Sequence, residues 1–507
     1  MRFPAILLAV AVTTPAFAQT QAVRQAAASI TEADVRRRIN IVANDSMGGR
    51  NTPSRGLDLV AQYVAAEFQR LGLKPGGDSG SFLQRYPIRQ LRLDPAASSL
   101  TLRGQEGGLI TVTLSRDAAL LFGGRPGTAP VVLLGGPLDS LATRGAALAG
   151  KAVVWVDDWT RPSGPALNSI GAILGQKPAM VVVVANNDSL FARYRQMQTT
   201  LQTRVGDAES TRTSLLLVSE RTLAEQLPQA IDQILPVRNA KSLVVMEVPG
   251  WEATLELKLD LVKETSAPNT VGILEGSDPV LRNEYLVYSA HMDHIGTAGA
   301  EGAGCRAQGA DSVCNGADDD ASGTVGIIEL AEAFARKGAR PKRSIIFLTV
   351  SGEEHGLWGS DYFAQHPPVP LDRIVANLNA DMIGRNWPDS IVVIGKEHSD
   401  LGATLGRVSA AHPELRMAAL DDRWPEESFY TRSDHFNFAR QGVPVLFFFN
   451  GVHPDYHQAS DSPDKLDAEK EARIVRLMFY LGREIGNAPA RPKWNQASYD
   501  KYVTSKP

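Results

Sequence analysis

The side chains able to do chemistry in this chain fall in five short stretches. They are His291 and Asp293 in HMDHIG, Asp318, Asp319 and Asp320 in GADDDASG, Glu353 and Glu354 in SGEEHG, Asp381 in NADMIGR, and Asp455, Tyr456 and His457 in DYHQAS. They offer imidazole nitrogens and carboxylate oxygens, with no thiolate among them. Such a donor set suits zinc or a similar divalent metal. Adjacent glutamates after a strand can point different ways, so one can ligate while its neighbour handles a proton. The chemistry these groups support together is metal-assisted hydrolysis. The sequence has no G-x-S-x-G elbow, so nothing calls for a serine nucleophile.

Four of the five stretches follow a segment that reads as a buried strand, and the aspartate triplet lies between the first two. Tyr285 to Tyr288 is a short, nearly continuous apolar run, the pattern of a strand covered on both faces, and it emerges at His291. Ser344 to Val350 empties into Ser351-Gly352-Glu353-Glu354, Ile374 to Leu378 leads to Asp381, and Val443 to Phe449 leads through Gly451 to His453 and His457. Between the first two, Ser322-Gly323 opens a helical pattern with Val325, Ile328, Ala331, Phe334 and Ala335 on one face, stopped by Gly338. Strands and helices alternate from Val248 onward, which predicts an α/β fold with a mixed, mostly parallel sheet flanked by helices. Active sites of such sheets lie at the strand ends. A lone His or Asp after a strand is ordinarily a cap or a surface residue. Several in one ordered alternation are a site.

The 507 residues, 43% hydrophobic and 21% charged, are ample for two or more domains. Arg2, the apolar stretch Ala5 to Val12 and the A-x-A site Ala16-Phe17-Ala18 mark residues 1–18 as a cleavable signal peptide, implying a periplasmic or secreted protein. That stretch is too short to span a bilayer, and no later segment qualifies. Residues 28–90 and 249–487 are expected to form the catalytic domain. Two helices begin it, one after Ser29 or Thr31 and one carrying Leu57, Val60, Ala61, Val64, Ala65 and Phe68 up to Gly72. Residues 91–248 alternate β-rich runs with loops and read as an inserted domain, and 488–507 as a tail. All nine histidines lie at or beyond His291, so the insertion houses no such metal site. A net charge of −4 without a long basic run speaks against nucleic acid and anionic membrane as partners. No feature fixes an oligomeric state. The two cysteines, Cys305 and Cys314, share one Gly-rich loop and are expected to pair as a disulfide in an oxidising compartment.

Taken in order, HMDHIG, GADDDASG, SGEEHGLWGS, NADMIGR and DYHQASDSPDK resemble the co-catalytic zinc aminopeptidase and glutamate-carboxypeptidase-like family, metallopeptidase family twenty-eight of clan MH. The resemblance covers about Ile30 to Gly486 and is closest to the subgroup with an inserted protease-associated domain. It implies a zinc-exopeptidase fold and two zinc ions, with cobalt or manganese as possible substitutes. His291 and Asp381 would hold one ion, Glu354 and His457 the other, and Asp319 would bridge them. Choosing Asp319 within the triplet rests on the family register D-x-x-S-G; spacing alone does not separate it from Asp318 or Asp320, and the family more often has Asn where Asp320 stands. Asp293 would accept the other ring N–H of His291. Glu353 would be the general base for attack by a metal-bridged hydroxide, and Tyr456 a candidate donor to the oxyanion. Peptides are the implied substrates, cut at the amino end. The alternatives are a carboxypeptidase, with Arg385 or Arg432 on the terminal carboxylate, and a non-catalytic binding homologue. His294 is expected to pack or hydrogen-bond, and Ser433-Asp434-His435 to line the site and not to form a triad.

Overall fold

A computed structural model describes residues 14–104, 108–138, 140–141, 147–158, 168–196, 198, 201–206, 213–226 and 228–504. Most of the expected signal peptide lies outside these residues. Helix α1, Thr14–Ala28, contains the expected cleavage site at Ala16 to Ala18. No helix among the described residues is long and apolar enough to cross a membrane.

The chain divides into two compact units, one built from the residues up to Tyr86 and from Ser266 onward, the other from Pro87 to Thr265. The expected limits of the insertion, 91 and 248, therefore differ from the observed ones. Two long strands, Leu83–Leu93 and Leu259–Leu274, carry the chain across the boundary, so it falls inside continuous strands and not at a change of composition.

The strands that bear on the site are β1 Leu259–Leu274, β2 Tyr285–His291, β3 Ser344–Val350, β4 Ile374–Ala380, β5 Ser390–Ile394, β6 Ala418–Leu420 and β7 Val445–Phe448, in the order β6-β5-β7-β4-β2-β3-β1. The central four, β7-β4-β2-β3, are parallel, while β1 and β5 join them antiparallel. Every residue of β3, β4 and β7 is buried, as largely apolar strands covered on both faces should be, and the polar exceptions Asn377 and Asn379 of β4 hydrogen-bond to Ser289 and Ser433. Register sets His291 beside Val350 and Ala380 beside Phe448, so the residues that follow all emerge along one sheet edge.

Helix α2, Glu32–Val42, starts at Thr31, whose hydroxyl accepts from the Asp34 N–H (3.1 Å), and buries Val35, Ile39 and Val42. Helix α3, Arg55–Arg70, is capped by Ser54 and buries Leu57, Val60, Ala61, Val64 and Phe68; Gly72, at φ 72°, turns the chain out of it. Helix α4, Gly323–Ala335, is buried nearly all round and not on one face, because β2, β3, α2 and helix α5, Ala468–Asn487, pack on it from several sides. The tail packs on this unit as well: the Trp494 indole donates to the Gly442 carbonyl at 2.9 Å.

The second unit holds an eight-stranded sheet. Its four apolar runs, Gly127–Gly135, Ala152–Val156, Met180–Ala185 and Ser214–Ser219, pair in parallel. Helices such as Asp188–Gln196 and Pro228–Arg238 accompany them, so this unit is α/β and not solely β-rich.

Candidate metal centre

His291 closes β2. Its backbone N–H donates to Asp320 Oδ2 (3.1 Å) and its carbonyl accepts from Thr324 Oγ1 (2.7 Å), which fixes where the ring leaves the strand. Ring Nδ1 faces the main-chain carbonyl of Asp293 at 3.2 Å, and the Asp293 carboxylate is farther, at 3.7 Å. The partner expected for this ring is thus the backbone of Asp293. Its carboxylate instead accepts from Thr52 Oγ1 (3.0 Å) and the Glu353 N–H (3.3 Å), tying the glutamate loop to the 50–53 segment. Nε2 of His291 is left facing Asp319 Oδ1 at 3.3 Å and Asp381 Oδ1 at 3.6 Å.

Asp319 presents its second oxygen to another imidazole: Oδ2 lies 3.2 Å from His457 Nε2. His457 Nε2 is in turn 3.0 Å from Glu354 Oε2. One carboxylate therefore stands between two donor sets. The neighbouring aspartates do other work. Asp320 accepts backbone N–H groups from His291, Gly323 (2.8 Å) and Met382 (3.1 Å); Asp318 accepts from Gly384 N–H (2.6 Å) and approaches His453 Nε2 at 3.2 Å. The turn that carries all three is held by the Asp461 carboxylate, which accepts from the N–H groups of Asp318 and Asp319.

These distances can be compared with what a metal needs. Zinc bound at about 2.0–2.1 Å in a tetrahedral site places its ligand atoms about 3.3 Å apart. The four separations from His291 Nε2 and His457 Nε2 to the carboxylates of Asp319, Asp381 and Glu354, from 3.0 to 3.6 Å, bracket that value. Asp319 Oδ2 and His457 Nε2 are buried and meet no partner with hydrogen-bond geometry, as expected of atoms turned toward a common centre. The residues present fit a metal. The groupings His291, Asp320, Asp381 and His294, Asp319, Glu354 are each compact enough to hold an ion. In the first, Asp320 is already occupied by backbone donors.

Electrostatics follow from the crowding. Burial raises Glu354 and Asp319 adds to it, yet His294 and His457 outweigh both and draw its carboxyl down to about 2. Burial works against a charged His457, but Asp319 and Glu354 lift it to about 10. Glu353 differs. Burial pushes its carboxyl well above the usual range, reinforced by Glu354 and Asp434 and opposed by His291. Tyr456 stacks on His457 with ring centroids 3.9 Å apart and lines the same recess as Glu353.

Other residues join the site in ways the sequence did not announce. His294, fully buried, places Nδ1 2.7 Å from Glu354 Oε1 and 3.7 Å from Asp319 Oδ2; it hydrogen-bonds as expected, but to a ligand-type carboxylate. Ser433 Oγ donates to Asp381 Oδ2 at 2.8 Å, whereas His435 pairs through Nε2 with the Tyr430 carbonyl, so no triad forms. Arg50, fully buried, donates to the carbonyls of Met292, Val42, Asn315 and Gly316, placing a guanidinium beneath the acidic turn. Arg385 is tied to Asp455 at 2.9 Å. Cys305 and Cys314 are joined in a disulfide and pack with Ile295 and Ala459.

The strand ends and the donors they carry all lie in the stretch that matches the family model described as Peptidase family M28, residues 269–482. These residues are a family M28 peptidase domain. A probable leucine aminopeptidase of Arthroderma otae is 28% identical over 218 residues, 41% of this chain and 56% of that protein. A probable zinc metalloprotease of Pyrenophora tritici-repentis is 43% identical over 222 residues, 35% of this chain and 45% of that protein. The chain spans about half the length of these curated relatives. Among solved structures, an aminopeptidase from Aneurinibacillus sp. strain AM-1 is similar at 17% identity and a TM-score of 0.47, covering 92% of this chain and 97% of that one.

Proposed function

We propose that this M28 domain makes the chain an exported zinc aminopeptidase, cutting single residues from the amino ends of peptides. The observation that carries the reading is Asp319, with one oxygen 3.3 Å from His291 and the other 3.2 Å from His457. A carboxylate so placed suits a pair of metal ions, which need a shared anion to offset their repulsion. His291, Asp381 and one oxygen of Asp319 would hold one zinc; Glu354, His457 and the other oxygen would hold the second. When bound, zinc supplies Lewis-acid polarisation of the scissile carbonyl and activation of water.

The chain's own residues do the rest. Glu353 lines the recess beside His291, Asp319 and Asp381 without a place among the ligands, a position that suits a group that takes a proton from water and returns it to the leaving amine. The carboxylates of Glu353 and Asp381 also suit the free ammonium of a peptide. Tyr456, which lines the recess, would donate to the oxygen that gains charge.

The test uses one short leucine peptide, free, N-acetylated and C-amidated, with chelator and with zinc restored. Cleavage of the free and amidated forms alone, lost to chelator and recovered with zinc, is the expected result. Cleavage of the acetylated but not the amidated form would reverse the polarity to a carboxypeptidase. A protein that binds no metal would be a binding homologue.

A further inference from the structure

The recess at the candidate centre has a composition that peptide-bond hydrolysis alone does not demand. Its floor is acidic, with Asp319, Glu353 and Asp381, and its wall is apolar, with Phe429, Phe447 and Phe449. Among the described residues that line it, Arg432 is the single lysine or arginine. Resting on the aminopeptidase reading, we propose that Arg432 is a specificity residue that binds a carboxylate of the substrate. The substrate's ammonium would meet the acidic floor while its carboxylate meets the guanidinium at the rim.

Arg432 is held where this requires. Its backbone N–H donates to the Phe429 carbonyl (3.0 Å), and the next residue, Ser433, is anchored to Asp381. The guanidinium carbon lies 4.7 Å from the centroid of the Phe429 ring, a cation–π contact that orients the fork across the apolar wall. Its charge is not consumed internally. The acidic partner is Glu427, with Nη1 to Oε2 at 3.2 Å, and both side chains are about half exposed, 50% and 55%. An exposed pair of this kind contributes little and exchanges readily. A substrate carboxylate in the partly enclosed recess competes on better terms, because the planar fork can donate two parallel N–H bonds to it. Arg385, the other cation considered for this role, is paired with Asp455 at 2.9 Å and is largely buried, with 18% of its side chain exposed.

The carboxylate can come from two places on a short peptide, the acidic side chain of the first residue or the carboxyl terminus of a dipeptide. Two substrate pairs separate them, each differing only in that charge: glutamyl- against glutaminyl-p-nitroanilide, and leucyl-leucine against leucyl-leucinamide. The zinc-loaded wild type, Arg432→Gln and Glu427→Gln are compared by the ratio of kcat/KM within each pair, which cancels any general loss of folding or metal. Arg432→Gln is expected to lower the charged-to-neutral ratio about 10- to 100-fold in one pair, the effect of losing a charge-assisted hydrogen bond. Glu427→Gln, which frees the guanidinium, is expected to raise the same ratio a few-fold. Ratios in both pairs that Arg432→Gln leaves unchanged would overturn the assignment while leaving the aminopeptidase reading intact. Failure of the wild type to hydrolyse any of the four would overturn both.

Discussion

Ser433→Ala removes one oxygen atom from the centre and leaves every proposed ligand in place, which makes it a sharp probe of how the site is held. Ser433 is 3% exposed. Its hydroxyl donates to Asp381 Oδ2 at 2.8 Å and accepts from Asn379 Nδ2 at 3.3 Å. Behind it the line continues through Ser289, which donates to Asn379 Oδ1 at 2.6 Å and accepts from Asn377 Nδ2 at 2.8 Å. The alanine variant leaves a buried carboxylate oxygen and a buried amide without partners. A hydrogen bond to a charged group contributes about 1.5–3 kcal/mol, and loss of a group that orients a metal ligand ordinarily weakens binding about 10- to 100-fold. Zinc affinity, measured by competition against a chelator of known strength, is therefore expected to fall by that factor at the ion held by Asp381, while activity at saturating zinc recovers most of its wild-type value. A serine that only supports packing would give a different pattern. If the apo protein loses stability while both zinc affinities stay within twofold of wild type, the chain of hydrogen bonds has no role in holding the metal, and the argument from geometry fails.

Glu353→Gln keeps the size of the side chain and removes the proton acceptor; kcat is expected to fall about 10²- to 10⁴-fold with two zinc ions still bound, as measured by metal analysis of the purified variant. Arg50→Met removes the guanidinium that donates to the carbonyls of Met292, Asn315 and Gly316. Chemical denaturation should show a loss of about 3–5 kcal/mol, and an unchanged midpoint would refute a supporting role. His435, buried and stacked on Phe447, has its pKa lowered to about 3, chiefly by desolvation. The unfolded chain takes up this proton below about 6.5, so the contribution is complete above that pH and drains away as pH falls toward 3, by up to about 5 kcal/mol. His435→Gln should flatten the acid limb of a stability-versus-pH curve, and two parallel curves would contradict the assignment.

How far the sequence speaks for this molecule depends on how local each instruction is. Largely apolar runs are enough to locate β2, β3 and β4, because a strand covered on both faces is apolar at most positions and its few polar ones, such as Ser289, Asn377 and Asn379, must find partners inside. The donors at their ends were equally visible, since a parallel sheet brings consecutive strand ends to one edge. Arg50 and Thr52 were not visible. They sit in a turn-rich link and reach their partners about 240 residues later in the chain, at Met292 and Asp293. No periodicity marks such a contact. The unit boundary escaped for a related reason: strands that run through it keep one texture on either side. The aspartate triplet makes the limit plain. Three identical side chains in succession take three tasks: Asp318 meets the Gly384 N–H and His453, Asp319 stands between two imidazoles, and Asp320 gathers three backbone donors. What separates them is the direction in which the turn aims each side chain, and that direction is set by Arg50 and Asp461 from distant parts of the chain. Residue type tells which chemistry is available there; only the packing of remote segments tells which carboxylate performs it.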